Sequence, residues 1–172
     1  KGVVLTNRNF CSNVKAALQR FPAGEADHHL SFLPLSHAFE RTAGYTAMLA
    51  AGATISYAES VEAVSQNLKE VQPTIMISVP RMFEKVYNRV TKQVSEGGAV
   101  KQKLFEWAIR AGEKHADAQQ GNGSGPGPWL KTQKALAQRL VFSTLHEKLG
   151  GNLRFAVSGG AALPEEIGTF FQ

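Results

Sequence analysis

Cysteine is nearly absent: Cys11 is the only one in 172 residues. An intramolecular disulfide is therefore excluded, and the composition is compatible with a reducing compartment. Long apolar runs are missing as well. None approaches the roughly 18 to 20 residues a membrane-spanning helix needs, and the opening KGVVLTNRNF has neither the apolar h-region nor the cleavage site of a signal peptide. The expectation is a soluble, cytoplasmic chain. There is no GxGxxG, no complete GxxxxGK[ST] phosphate loop and no GxSxG elbow, so Ser36 and His37 do not read as part of a hydrolase triad. RNP, zinc-finger and aromatic-basic patterns are also lacking, which argues against nucleic acid as a partner.

Apolar residues make up 43% of the chain, enough for a core at the size of one ordinary domain. The net charge of +5 is uneven: residues 81–139 hold 11 Lys and Arg against 5 Asp and Glu, while the remainder holds 8 against 9. The basic balance thus lies in one segment. On a helix starting at Pro80, the residues Phe83, Val86, Tyr87, Val90 and Val94 share one face, and Arg81, Lys85, Arg89 and Lys92 the other. That stripe reads either as a solvated face or as an attractor for an anionic partner, including peripheral contact with a membrane surface.

Along the chain, periodicity predicts a helix from Asn7 to about Arg20, a buried strand over HHLSFLPL and a small-residue helix over AFERTAGYTAMLAAG stopped by Gly52. A short strand ATISYA follows, then a helix N-capped by Ser60 and a strand TIMISV. Helices are expected from Pro80 to about Glu96, from Val100 to Gln119 with Val100, Leu104, Trp107 and Ala111 at helical spacing, and from Leu130 to about Leu149. A Gly- and Pro-rich flexible loop covers about 120–129, and LRFAVSGGAALPEEIG reads as strand, turn and helix. Strands alternating with helices predict an α/β fold with a mostly parallel sheet, helices on its faces and a helical excursion at about 80–149.

Two turns concentrate the chemistry. SGGAA places Ser158, Gly159, Gly160, Ala161 and Ala162 between a strand and a helix, where glycines let a flat ring or a phosphate approach the backbone. A plain tight turn explains the glycines equally well. LPLSHAFER places His37, Glu40 and Arg41 after another strand, so His37 would emerge at the same sheet edge; a core histidine bonded to a carbonyl is the duller account. Glu40 and Arg41 point about 100° apart on a helix and call for separate partners. His28 and His29 alternate across a strand without further ligands at metal spacing, which disfavours a metal site. Cys11, with no His motif near it, reads as an inert packed thiol.

Five blocks, KGVVLTNRNF, LSFLPLSHAFERTAGY, GATISYAES, QPTIMISVPRMFEKVYNRV and LRFAVSGGAALPEEIGTFF, resemble the adenylate-forming superfamily in order and spacing. The SHAFER and VPRMFEKVYNRV forms are most similar to its long-chain fatty-acid:CoA ligases. The resemblance implies the N-terminal AMP-binding domain over residues 1–172. It places Lys1 and Gly2 at the end of a phosphate loop, His37 beside the acyl carboxylate and adenylate, and Arg41 at the gate of a fatty-acid tunnel. The turn at Gly159, Gly160 and Ala161 would lie against adenine and acyl chain. ATP, Mg2+ and CoA are the implied co-substrates, with a fatty acid as the acyl donor. The family's YGxTE block, ribose-binding aspartate and mobile C-terminal domain are not in this sequence, so no catalytic residue is assigned and a fragment without ligase activity of its own is expected. A relative acting on aryl acids or a carrier protein, or a non-catalytic module using the basic helices, are the alternatives.

Overall fold

The computed structural model describes residues 4–120, 127–137 and 143–171. Two compact units are formed, one by 1–79 with 148–161 and the other by 80–147 with 162–172.

The first unit holds the sheet. Helix α1 (Asn7–Arg20) opens on a capping box: Thr6 Oγ1 accepts the Asn9 N–H, and the Asn9 side chain accepts the Thr6 N–H at 2.9 Å. It ends at Phe21, held extended ahead of Pro22. Val14 turns inward, whereas Cys11 is exposed, contrary to the packed thiol expected. Cys11 shares the side of Val14 and Leu18 but sits in the exposed opening turns of the helix.

Strands β1 (His28–Ser31), β2 (Thr54–Tyr57), β3 (Ile75–Ser78) and β4 (Phe155–Ser158) run parallel in the order β2-β1-β3-β4. β1 is shorter than its apolar pattern suggests. It stops at Ser31, and Pro34, which has no N–H to give a ladder, lies in the loop beyond. Registered neighbours share a face. His29, Ser31, Ile55, Ile75, Ile77, Phe155 and Val157 therefore lie on one side, where the core gathers Val14, Ala43, Ala47 and Met48 against Ile75 and Ile77. Leu30 and Met76 are buried on the other side, and helix α3 (Val64–Val71) contributes buried Val64 and Leu68.

The segment after β1 is not an ordinary α-helix. Residues Glu40–Ala47 form a π-helix, continued by α2 (Met48–Ala51) and stopped by Gly52 at φ 74°, the left-handed C-cap the sequence suggested. Ser60 does not N-cap α3 as expected. Its hydroxyl accepts the Ala63 N–H at 3.2 Å in a preceding turn, and the helix begins at Val64. At the far end of the sheet the buried Asp27 ties three segments. It accepts from Thr74 Oγ1 at 2.7 Å and the Gly24 N–H at 2.9 Å, and lies 3.2 Å from Arg154 Nε.

The second unit is helical: α4 (Pro80–Ser95), α5 (Gly98–Gln120), α6 (Pro128–Ala137), α7 (Ser143–Lys148) and α8 (Glu165–Phe170), although Lys148 itself belongs to the first unit. Of the loop expected at 120–129, Gln120 ends α5, residues 121–126 lie outside the described residues, and Pro128 and Trp129 open α6. The predicted helix 130–149 corresponds to α6 and α7, with 138–142 outside the description. On α4, Phe83 is buried and Val86, Tyr87, Val90 and Val94 are half-buried, with Arg81, Lys85, Arg89 and Lys92 exposed, as the 3.6-residue period requires. On α5 the expected face is kept but opens to solvent at its start: Val100 is 83% exposed and Leu104 is exposed, whereas Ala108, Ala111 and His115, further along the same side, are buried. Aromatic rings of Phe83, Tyr87, Phe105, Phe170 and Phe171 meet edge-on or tilted.

Candidate active site

Because all four strands are parallel, the chain leaves each of them at one rim. It passes from β1 to β2 on one side and returns to β3 on the other, so β1 and β3 flank the point where the strand order reverses. In open α/β sheets this is where ligands bind. The loop 32–39 departs from β1, and Gly159 and Gly160 leave β4, two strands away.

These two reversals touch. A Cβ at Gly159 would run into the ring of Phe39, so the glycine is the space the phenyl occupies. The Gly159 N–H donates to the Ser78 carbonyl at 3.1 Å, and Gly160 takes φ 85°. Gly160 and Ala161 are exposed on the rim, and Ala162, at the start of the next segment, is exposed too. Ser158 and Ser78 are register partners on one face, and each has a buried Oγ without a hydrogen-bond partner. Two buried hydroxyls free to bond beneath an open glycine turn suit polar atoms of a ligand or a water.

His37 is exposed. Its N–H donates to Pro34 O at 2.9 Å, and its Nδ1 accepts the Phe39 N–H at 3.2 Å. An amide N–H can only donate, so Nδ1 is the acceptor and the neutral ring carries its proton on Nε2, available to an anionic oxygen. Arg41 is exposed, with its guanidinium 5.1 Å from the Tyr45 ring centroid. Lys1 and Gly2 lie outside the described residues.

Glu40 and Arg41 indeed have separate partners. Glu40 is fully buried, and its carboxyl accepts the Ser31 hydroxyl at 2.5 Å and lies 3.5 Å from His29 Nε2. His29, also fully buried, holds the Ile75 carbonyl at 3.3 Å through Nδ1. His28, on the opposite face, bonds Ser56 through Nε2 at 2.8 Å. Sequence reasoning passed over Phe39, Ser31, Ser78 and the inward role of His29. The alternation of strand residues was a usable signal for His29, but nothing in the spacing marked Phe39. Among the described residues no three His, Cys, Asp or Glu side chains converge on one point.

A parallel sheet whose strand exits share one rim, with a glycine turn and an exposed imidazole there, has the general architecture in which open α/β sheets bind ligands. Comparison with known proteins narrows the class. The sequence model of the AMP-binding enzyme family matches residues 1–172, and the chain belongs to that family. It is 33% identical over 172 residues to the peroxisomal long chain acyl-CoA synthetase 7 of Arabidopsis thaliana, covering all of this chain and 23% of that protein. Against the long-chain-fatty-acid–CoA ligase FadD15 of Mycobacterium tuberculosis it is 33% identical over 174 residues, covering 28% of that protein. Long chain acyl-CoA synthetase 3 of Arabidopsis thaliana is 30% identical over 177 residues. The chain thus spans about a quarter of the length of these relatives. No solved structure matches.

Proposed function

We propose that residues 1–172 are part of the N-terminal domain of a ligase that activates a long-chain fatty acid with ATP and passes the acyl group to CoA. The observation that carries this reading is the Phe39 ring filling the place of a Gly159 side chain, which joins the His37 loop to the glycine turn on one rim. The relatives' names supply the acid class.

In the proposed reaction a fatty-acid carboxylate oxygen bonds to the α-phosphorus of ATP and pyrophosphate leaves with the electrons of the broken P–O bond. The thiolate of CoA then attacks the acyl carbon and expels AMP. His37 Nε2–H donates to the carboxylate or the phosphate as negative charge concentrates there. Arg41 borders the acyl entry. Gly159, Gly160 and Ala161 admit adenine and acyl chain against bare backbone, with Ser158 and Ala162 at the turn's edges, and Lys1 and Gly2 serve the phosphates. Mg2+, when bound with ATP, offsets phosphate charge, and no step is assigned to it through these residues. The exposed Arg81, Lys85, Arg89 and Lys92 support a membrane-facing role for α4 in presenting an apolar substrate.

The test is ATP–pyrophosphate exchange by the complete gene product that contains these residues, assayed across long-chain, short-chain and aryl acids. Exchange dependent on a long-chain acid, falling about a hundredfold or more in His37→Ala, is expected. Exchange only with aryl acids, or with no acid, overturns the reading. The 172 residues by themselves are expected to form no acyl-CoA.

A further inference from the structure

The buried carboxyl of Glu40 has no task in the reaction as written, and its surroundings cost stability. The Ser31 hydroxyl satisfies Oε1 at 2.5 Å, but Oε2 and His29 Nε2 have no hydrogen-bond partner, and both side chains are fully buried. Since the Ile75 carbonyl can only accept, His29 Nδ1 carries its proton, which leaves Nε2 facing the carboxyl at 3.5 Å, beyond a well-formed bond. Apolar side chains of similar volume would be at least as stable in such a place. Room for the carboxyl is also reserved by the backbone, because a Cβ at Gly44, one turn on in the π-helix, would collide with it.

The placement supplies the reason. Ser31 is the last residue of β1 and Glu40 the first of the π-helix, so their bond closes the base of the loop 32–39. Within that loop lie His37 and Phe39, and the tie fixes both ends of the segment that presents them. Inside it the Phe39 N–H bonds His37 Nδ1, and the Arg41 N–H bonds the His37 carbonyl at 2.9 Å. A displacement at Glu40 is therefore transmitted to His37 by two hydrogen bonds, one to its ring and one to its carbonyl, and to the Gly159 turn by the Phe39 ring. π-Helical segments in general are concentrated at functional sites.

We infer that Glu40 is a positioning residue: through Ser31, and seated against His29, it sets the loop that holds His37 over the rim and Phe39 against Gly159. The inference rests on the acyl-activating reading only for its consequence in turnover, since the geometry stands without it.

Two readouts separate these. In Glu40→Gln the His37 Hε1 and Phe39 ring signals in a 1H–13C spectrum are expected to move, with the methyls of Ile75 and Ile77 unmoved. Ser31→Ala, which removes only the donor, is expected to move the same two residues less and serves if Glu40→Gln does not fold. Unmoved His37 and Phe39 signals in a folded variant, or equal shifts of the Ile75 and Ile77 methyls, overturn the inference. In the complete gene product, Glu40→Gln is expected to lower kcat for pyrophosphate exchange at least tenfold with KM for ATP unchanged. A wild type that exchanges normally and a variant with unchanged kcat overturn the inference. A wild type that exchanges with no acid overturns the acyl-activating reading instead, and the spectra still decide the role of Glu40.

Discussion

The two units solve the same problem in opposite ways. The sheet unit takes polar groups inside: Asp27, His29, Ser31, Glu40 and Ser78 are all buried, most of them bonded to the backbone or to one another. Among its described residues the helical unit keeps charges toward solvent, with Arg81, Lys85, Arg89 and Lys92 exposed on α4, and buries aromatic rings and alanines. Buried hydrogen bonds are directional, so the first unit gains a defined geometry at its rim. Ring packing and solvated charge are more tolerant, and an anionic surface can be met without fixed partners. His37, Gly159 and Gly160, to which the proposed function is assigned, fall in the unit whose interior is directional.

The strongest way to break this contrast is to remove a buried polar tie. Asp27→Ala leaves the Thr74 hydroxyl and the Gly24 N–H without their acceptor and is expected to destabilise the sheet unit by about 1 to 3 kcal/mol, since Arg154 is half exposed and can be rehydrated. Amide exchange in β1 and β3 should speed up with that cost, and protection unchanged in both strands would refute the contrast.

His115 sharpens it: among the described residues of the helical unit it is a buried polar side chain, and Lys134 Nζ approaches its Nδ1 at 3.4 Å. Burial, followed by the charges of Lys134 and Lys131, holds its pKa below the ordinary 6.5. The unfolded chain then binds the proton more readily, so the contribution to stability is complete above about pH 6.5 and is lost as pH falls below that value. Amide protection in α5 should decline on acidification from pH 7 and persist in a His115→Gln variant. The smallest effect is expected at Lys92, paired with Glu96 at 4.0 Å where both side chains are largely exposed. Lys92→Gln should change the urea midpoint by less than about 0.5 kcal/mol equivalent, and a larger loss would mean that the outer charges of α4 are structural after all.

Much of this was legible beforehand. The parallel α/β architecture followed from alternating periodicities, and the packing face of α4 from Phe83 and the valines spaced after it. Two local rules were overridden. The small-residue segment after β1 opened into a π-helix, and no spacing encodes the room that Glu40 and Gly44 share. On α5 Val100 and Leu104 are exposed while Ala108 and Ala111, on the same side further along, are buried, because the helical period fixes a face but not how far along it burial extends. The spacing places the two turns of the candidate site at one sheet edge, but nothing in it marks the ring that joins them.

By itself the sequence determined what depends on neighbours along the chain: the caps, the glycine stops, the strand and helix periods, the family blocks and the clustering of basic charge. Only the tertiary structure decided what depends on residues far apart, that Phe39 stands in the space of a Gly159 side chain and that Glu40 closes its loop onto Ser31 beside His29. The physical reason is that backbone preference is local, whereas burial and hydrogen-bond satisfaction are settled between segments that meet only once the sheet has assembled.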